Sequence, residues 1–276
     1  MLFNIGDVVT RKSYNNDTYF EIVSIIDDTA YLKGINIRLE ADSSVSDLVK
    51  VDNTDIIDDE KITADITDSF NLDRSEFFYL PGKILHIDGD EGYLKRCMNF
   101  YKKLNIMAYG LCLKESEIST QIKGYLEKLC PDIVIITGHD AYYKRKGKNN
   151  DVDNYKNTKN FLEAVKVARS YEKSQDKLII IAGACQSNYE ELIKAGATFA
   201  SSPKRINIHA LDPAIIASFM ALYDRNKVVD LIEVLGKTKS GSDGIGGVAT
   251  KGCMFVGYPR WLLKKLKIEL LCTKAK

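Results

Sequence analysis

The first fifty residues alternate apolar and polar side chains between short groups of turn-forming residues. The alternation is clearest over residues 19–25 (YFEIVSI), and a second alternating segment at 30–34 (AYLKG) follows a turn at Asp27 and Asp28. A period of two residues is typical of strands that bury one face. The pattern therefore predicts that residues 1–52 form a small antiparallel β-barrel of SH3-like type.

Residues 53–76 differ in composition from the segments on either side. Aspartates recur through this stretch, and its apolar residues show little periodicity. Segments with high charge and few apolar residues seldom bury enough surface to pack as a domain. We interpret this stretch as a solvated acidic linker.

From residue 77 onward, mainly apolar runs alternate with segments of helical periodicity. The apolar runs lie at 83–88, 106–112, 133–137 and 178–182, and the helical segments at 91–104, 118–129 and 161–171. Strands that are apolar on both faces are typical of parallel sheets covered by helices on each side. Residues 77–276 are therefore predicted to form an α/β domain with a doubly wound, mostly parallel sheet, which would bind ligands at the carboxyl ends of its strands.

Composition excludes several classes of partner and cofactor. The net charge of +1 provides no overall basic field for nucleic acid, and no apolar run is long enough to span a bilayer. We therefore expect neither nucleic acid nor a membrane as a partner. The six cysteines are scattered without a Cys-X-X-Cys pair, which argues against a disulfide framework or a zinc site. No metal or organic cofactor is predicted.

Two of the apolar strands end in residues that can carry chemistry. The strand at 133–137 continues into Gly138 and His139, and the strand at 178–182 continues into Gly183 and, after one alanine, Cys185. One helix separates the two strands, so a right-handed crossover would make them parallel neighbours. The imidazole and the thiol would then lie on the same rim of the sheet.

The residues after Cys185 indicate how its thiol could be activated. Ser187 and Glu190 have the spacing of a capping box, which predicts that a helix begins just after Cys185. The positive end of a helix favours a thiolate. Cys185 is thus predicted to attack a carbonyl carbon, while His139 protonates the leaving amine.

Two other interpretations use different residues. His209 could act as the base for Cys185, in the order found in hydrolases of the glutamine-amidotransferase type. Alternatively, Asp88 and Asp90 follow the first strand of the predicted sheet, as in the acidic pocket of a receiver domain that binds magnesium and accepts a phosphoryl group. That second alternative leaves the ends of the two other strands without a role.

The strand ending in a histidine and the later strand ending in Ala184 and Cys185 resemble the caspase-type cysteine peptidases. Those enzymes usually have a glycine after the histidine, whereas Gly138 precedes His139 here. The amide of Cys185 is a candidate donor to the oxyanion, and the second donor stays open, with Gly138 and Gly183 as candidates. The resemblance implies a caspase-like fold for the α/β domain.

A closer resemblance extends over almost the whole chain. It rests on long motifs: GHDAYYK (138–144), AGACQSNYEELIKAGA (182–197), SSPKRINIHALDPA (201–214) and GSDGIGG (241–247). These motifs resemble the YabG sporulation protease family. The family implies a cysteine endopeptidase of endospore-forming bacteria, located in the mother-cell cytoplasm and the forming spore coat. Its partners would be coat and coat-assembly proteins as substrates, and its dyad would be Cys185 and His139.

The same resemblance implies cleavage after arginine. An acidic residue should then line the pocket that receives the arginine side chain, and three aspartates are candidates: Asp140, Asp176 and Asp243.

Overall fold

The computed structural model describes residues 3–51, 59–68, 77–145 and 147–258. Residues 3–51 contain a five-stranded antiparallel sheet in the order β4-β3-β2-β1-β5. Its strands are β1 (Val8–Arg11), β2 (Phe20–Ile26), β3 (Thr29–Gly34), β4 (Glu40–Ser44) and β5 (Leu48–Lys50). The alternation along the sequence correctly predicted these antiparallel strands, whereas the SH3-like type of barrel stays a prediction.

Alternate residues of β2 and β3 face a small apolar core of their own. Phe20 and Ile22 are buried in β2, while Glu21 between them is exposed, and Ala30 and Leu32 of β3 pack from the facing strand. The buried and exposed positions therefore follow the period of two that the sequence displays.

A helix, α1 (Asp59–Asp68), lies within the segment that we interpreted as a solvated linker. Ile62 and Ile66 are four residues apart on one face of this helix, and both are buried against the core of the α/β domain. Arg96 holds the start of the helix, with 2.6 Å between its Nη2 and Oδ1 of Asp59. These ten residues are thus packed rather than solvated, because two isoleucines in a single short helix suffice to attach it to the core.

The α/β domain is built on a six-stranded sheet in the order β12-β11-β10-β9-β7-β8. Its strands are β7 (Ile84–Asp88), β8 (Ala108–Cys112), β9 (Ile133–Thr137), β10 (Ile179–Ala182), β11 (Phe199–Ser201) and β12 (Ile245–Gly247). Every neighbouring pair is parallel except β11 with β12. The prediction of a mostly parallel α/β sheet is confirmed, and the caspase-like assignment stays a prediction. A separate pair of short strands, β6 (Phe78–Leu80) and β13 (Phe255–Gly257), is antiparallel.

Helices cover both faces of the six-stranded sheet. They are α2 (Glu91–Lys103), α3 (Glu115–Leu129), α4 (Thr158–Tyr171), α5 (Tyr189–Lys194), α6 (Asp212–Leu222), α7 (Leu231–Gly236) and α8 (Gly241–Gly244). Apolar residues of α1, α2, α6 and α7 pack on one face, and those of α3, α4 and α5 on the other. Every residue of β7, β9 and β10 is buried, as continuous apolar strands require in such a three-layer arrangement.

Among the described helices, none is both long enough and apolar enough to cross a membrane.

Candidate active site

The carboxyl ends of β9 and β10 lie side by side. Ile136 pairs with Ala182 in the parallel ladder, and His139 and Cys185 each follow three residues after their member of that pair. The ladder continues one step further, because the Gly183 amide donates to the Ile136 carbonyl at 3.0 Å. The two candidate catalytic residues therefore leave the sheet at the same level, from adjacent strands.

His139 is fixed by contacts to its ring. Its Nε2 lies 3.2 Å from Oδ2 of Asp90, and its ring packs against Tyr93 with 5.9 Å between the ring centroids. Lys33 of the N-terminal sheet also contacts Asp90, with 2.6 Å between Nζ and Oδ2. Burial opposes ionisation of Asp90, but the hydrogen bonds from His139 and Lys33 outweigh it and hold the pKa of Asp90 well below its usual range. An ionised carboxylate therefore faces the imidazole.

The backbone around His139 is held by Glu115 at the start of α3. The His139 amide donates to Oε1 of Glu115 at 2.8 Å, and the Asn157 side chain donates to the His139 carbonyl at 2.8 Å. A Cβ on Gly138 would lie 2.4 Å from Oε1 of Glu115, and one on Gly89 would be equally close. A side chain at either position would therefore displace the Glu115 carboxylate, which gives Gly138 a packing role beside the histidine.

Cys185 is completely buried. Its Sγ accepts a hydrogen bond from the Ile208 amide at 3.3 Å, and the Arg38 backbone also hydrogen-bonds to it. Burial nevertheless dominates over these contacts and raises the pKa of the thiol to about 11. The thiolate expected from the sequence is therefore not favoured in this state, because the sulfur has lost its solvation.

The predicted capping box after Cys185 is wrong by one residue. Asn188 is the N-cap of α5, and its side chain accepts from the Glu191 amide at 3.3 Å. Ser187 instead accepts from the Ala184 amide at 2.9 Å, which closes the loop around Cys185. Glu190 forms an ion pair with Arg205 rather than reaching back to the cap. The helix is also only six residues long, which weakens the expected effect of its dipole.

Asp140 links the histidine loop to the cysteine loop. Its buried carboxylate accepts hydrogen bonds from the Asn157 amide at 2.7 Å, from Thr158 Oγ1 at 2.5 Å and from Ser187 Oγ at 2.8 Å. Burial raises its pKa against these bonds. Both oxygens are therefore engaged in holding the two loops together.

A comparison with known proteins matches this chain over nearly its full length. A family model described as YabG peptidase U57 matches residues 4–72 and 60–259. The chain is also 41% identical over 286 residues to the sporulation-specific protease YabG of Bacillus subtilis (strain 168), covering 94% of this chain and 99% of that protein. The chain belongs to the YabG peptidase family. It is thus a sporulation protease, as the sequence motifs implied.

Two of the three aspartates predicted to bind an arginine side chain contact lysines in this YabG family protease. Asp176 precedes β10 and is therefore at the opposite end of the sheet from Cys185, where its Oδ2 lies 3.9 Å from Nζ of Lys251. Asp243 is exposed in α8, with 3.8 Å between its Oδ1 and Nζ of Lys204. Asp176 is thus away from the rim that carries His139 and Cys185, whereas Asp243 lies two residues before Ile245, which pairs with Ser201 at the carboxyl end of β11.

His209 follows Ile208, whose amide contacts Cys185, but the His209 ring forms its hydrogen bond within its own loop. It is 3% exposed, and its Nδ1 accepts from the Leu211 amide at 3.2 Å. Burial, followed by the positive charge of Arg96, lowers the pKa of His209 to about 4. Its imidazole is therefore neutral near pH 7, with Nδ1 already engaged as an acceptor.

The acidic pair of the receiver-like alternative faces cations of the N-terminal sheet. Asp88 is paired with Arg38, and Asp90 with Lys33. Within the described ranges, no group of three or more His, Cys, Asp or Glu side chains has an arrangement that could hold a metal ion. This YabG family chain thus uses both aspartates to contact its own N-terminal domain.

Sequence reasoning missed the residues that contact the candidate pair His139 and Cys185. Asp90 contacts His139, Tyr93 packs beside it, Glu115 holds its amide, and Arg38 reaches Cys185 from the N-terminal sheet. Asp90 follows β7, so the rule that ligands collect at carboxyl ends of parallel strands gave a signal for it. Nothing in the sequence pattern marks Arg38, because its contacts depend on how the two domains dock.

Proposed function

We propose that this YabG family protease is a cysteine endopeptidase in which Cys185 is the nucleophile and His139 the general acid and base. The observation that carries the proposal is the register of β9 and β10, which brings both residues to one rim, each three residues beyond the pair Ile136 and Ala182. A thiol and an imidazole on a common rim are the two groups that peptide hydrolysis through a thioester needs.

The reaction follows from these two groups. The Cys185 sulfur, having given its proton to His139, attacks the peptide carbonyl carbon. The tetrahedral intermediate collapses as the carbon–nitrogen bond breaks, and His139 returns the proton to the leaving amine. Water then attacks the thioester with His139 as base, which releases the carboxylic acid and restores the thiol.

Asp90 is proposed to position His139. An imidazole that donates Nε2–H to the Asp90 carboxylate carries its lone pair on Nδ1, which becomes the atom that exchanges protons. The carboxylate also stabilises the imidazolium that forms when the thiol is deprotonated. Asp90 is held in turn as the N-cap of α2, where it accepts from the Tyr93 amide at 3.0 Å.

Catalysis requires a change from the state described. Cys185 is covered, and its pKa is raised to about 11 by that burial. Movement of the residues that bury Cys185 would return water to the sulfur and allow a carbonyl carbon to approach it. The buried state therefore corresponds to a closed enzyme in this proposal.

The substrates are proposed to be proteins of the forming spore coat and its assembly machinery, cleaved after arginine in the mother cell. Family membership and the similarity to a sporulation-specific protease support proteolysis in sporulation, and the resemblance of the sequence motifs to the YabG family motivates the coat substrates and the arginine preference. His209 is not assigned a catalytic role, because its Nδ1 accepts from the Leu211 amide.

The direct test is the Cys185→Ala variant, assayed with a coat-protein extract and with a peptide that contains one arginine. We expect cleavage of both to disappear while the thermal unfolding transition is retained. Cys253→Ala is the matched control, since Cys253 is also a buried free thiol but lies in the core cluster packed by α6. Cleavage by Cys185→Ala at the wild-type rate would exclude the thiol mechanism.

A further inference from the structure

The connection between β3 and β4 of the N-terminal sheet crosses the candidate active site. We call residues 34–40 the inserted segment. Ile37 forms an antiparallel bridge with His209, and the Ala210 amide donates to the Asn36 carbonyl at 2.9 Å. The segment thus pairs its backbone with residues 208–210 at a single bridge, the kind of contact by which extended peptides bind through their backbones.

Arg38 of the inserted segment fills an acidic pocket of the α/β domain. Its side chain is completely buried, with 2.6 Å between Nη1 and Oδ2 of Asp88 and 3.1 Å between Nη2 and the Ala210 carbonyl oxygen. His86 packs on the same carboxylate, with 3.6 Å between its Nε2 and Oδ2 of Asp88. The pocket offers one buried negative charge and one carbonyl acceptor, which suits a guanidinium.

The backbone of Arg38 lies beside Cys185, the candidate nucleophile. Its backbone hydrogen-bonds to Cys185, and the neighbouring Ile208 amide donates to Sγ of the same cysteine at 3.3 Å. On the other side, Oε1 of Glu40 lies 3.8 Å from Nε2 of His139. The bond between Arg38 and Leu39 therefore lies between residues that contact the thiol and the imidazole.

We propose that Asp88, together with the Ala210 carbonyl, recognises the arginine side chain before the scissile bond of a substrate, and that Arg38 occupies this subsite in the closed enzyme. The proposal rests on the proposed function, because it takes Cys185 as the nucleophile. It replaces Asp140, Asp176 and Asp243 as the specificity residue, since each of those contacts other groups.

The local geometry explains why Arg38 acts as an occupant. The Leu39 amide donates to the Ile37 carbonyl at 2.9 Å, and the Gly34 amide donates to the Leu39 carbonyl at 2.6 Å, so the chain turns back immediately after Arg38. A leaving amine would stay tethered at this turn. In addition, Nε of Arg38 is buried without a hydrogen-bond partner among the described residues. Its burial is therefore incompletely compensated, which allows a substrate arginine to compete.

The first experiment uses two peptides that differ only before the scissile bond, one with arginine and one with its neutral isostere citrulline. In the full-length chain, Asp88→Asn should reduce kcat/KM for the arginine peptide about 100-fold, because a buried charge pair loses its anion. Cleavage of the citrulline peptide should not fall, since a neutral side chain gains nothing from the carboxylate and the competing Arg38 is held less tightly. Equal losses with both peptides would overturn the subsite.

A second pair of variants covers the case in which Asp88→Asn leaves Arg38 unpaired and unfolds the chain. Arg38→Gln/Asp88→Asn buries no net charge, so it is compared with Arg38→Gln alone. The double variant should lose the preference for arginine over citrulline, and the single variant should retain it. Retention of the preference in both would contradict the role of Asp88.

A separate measurement, of KM, tests whether Arg38 occupies the subsite. Arg38→Gln should lower KM for the arginine peptide about tenfold with little change in kcat, because a competing side chain is removed. Arg11→Gln is the matched control: it makes the same change in the N-terminal sheet, where Arg11 packs on Tyr14 and Phe20. An unchanged or raised KM in Arg38→Gln would overturn the occupant.

The Cys185→Ala variant is assayed in each series as a blank. It distinguishes a failure of the proposed function from a failure of the proposed subsite. If that blank cleaves the arginine peptide at the wild-type rate, the proposed function fails. If the blank is inactive but substitution of Asp88 leaves the preference for arginine over citrulline unchanged, only the proposed subsite is wrong.

Discussion

Nε2 of His139 lies 3.2 Å from Oδ2 of Asp90, which joins the end of β9 to the start of α2. The same carboxylate contacts Lys33, so a residue of the N-terminal sheet and the candidate base share one anion. The orientation of the imidazole is therefore linked to the docking of the two domains.

Removing the charge of Asp90 should impair the chemical step. We expect Asp90→Asn to lower kcat about 10- to 100-fold with little change in KM, because His139 loses its orienting anion. Asparagine preserves the N-cap of α2, so the fold should persist. Steady-state kinetics test this, with Asp90→Glu expected to recover part of kcat and Glu91→Gln, at the first position of the same helix, as the control. A change confined to KM would count against a positioning role.

The two histidines near Cys185 should differ sharply. His139→Ala should reduce kcat about 1000-fold, the range expected for loss of a general acid and base. His209→Asn keeps an acceptor for the Leu211 amide and should reduce kcat less than tenfold. Parallel assays with the arginine peptide decide the ranking. The opposite order would favour the amidotransferase-like alternative.

His209 should make the chain sensitive to acid. Its folded pKa is about 4 against an ordinary value of 6.5, so the unfolded chain binds more protons between those pH values. The stabilisation is complete above pH 6.5 and is lost as pH falls through 4. From pH 7 to 4.5 wild type should lose about 2.5 kcal/mol more of its free energy of unfolding than His209→Asn does. Urea denaturation at both pH values measures this, and parallel losses would refute it.

The closed state should protect Cys185 from alkylation. With a pKa of about 11 and no exposed surface, it should react with iodoacetamide at pH 8 at least about tenfold more slowly than the exposed Cys112 and Cys130 of the same molecule. Arg38→Gln should raise the rate at Cys185 and leave the two exposed thiols unchanged. Peptide mass mapping over time resolves each site. Equal rates at Cys185 and Cys112 in the wild-type chain would mean that the site is open in solution.

The sheet was predictable because the burial of each strand follows from its own run of apolar residues. The apolar runs that became β7, β9 and β10 are buried on both faces, so their pattern alone indicated a covered parallel sheet. The same rule placed His139 and Cys185 on a common rim, since strand ends follow from strand order.

The electrostatic state of the site was not predictable in this way. The sequence indicated a thiolate at Cys185, but burial raises the pKa of its thiol, and contacts from Ile208 and Arg38, which are distant in the chain, oppose this only in part. Ser187 matched a cap, yet Asn188 took that position because Ser187 was engaged by Asp140 and Ala184. Such outcomes depend on contacts between segments, which a pattern along the chain does not encode.

The most direct measurement of the central claim is to trap the covalent intermediate. The full-length chain is mixed with an N-blocked arginine ester, quenched in acid within milliseconds, digested and mapped by mass spectrometry. The account predicts an acyl group on the peptide that contains Cys185, removable by hydroxylamine and absent from Cys185→Ala. An acyl group on another residue, with ester hydrolysis undiminished in Cys185→Ala, would contradict it.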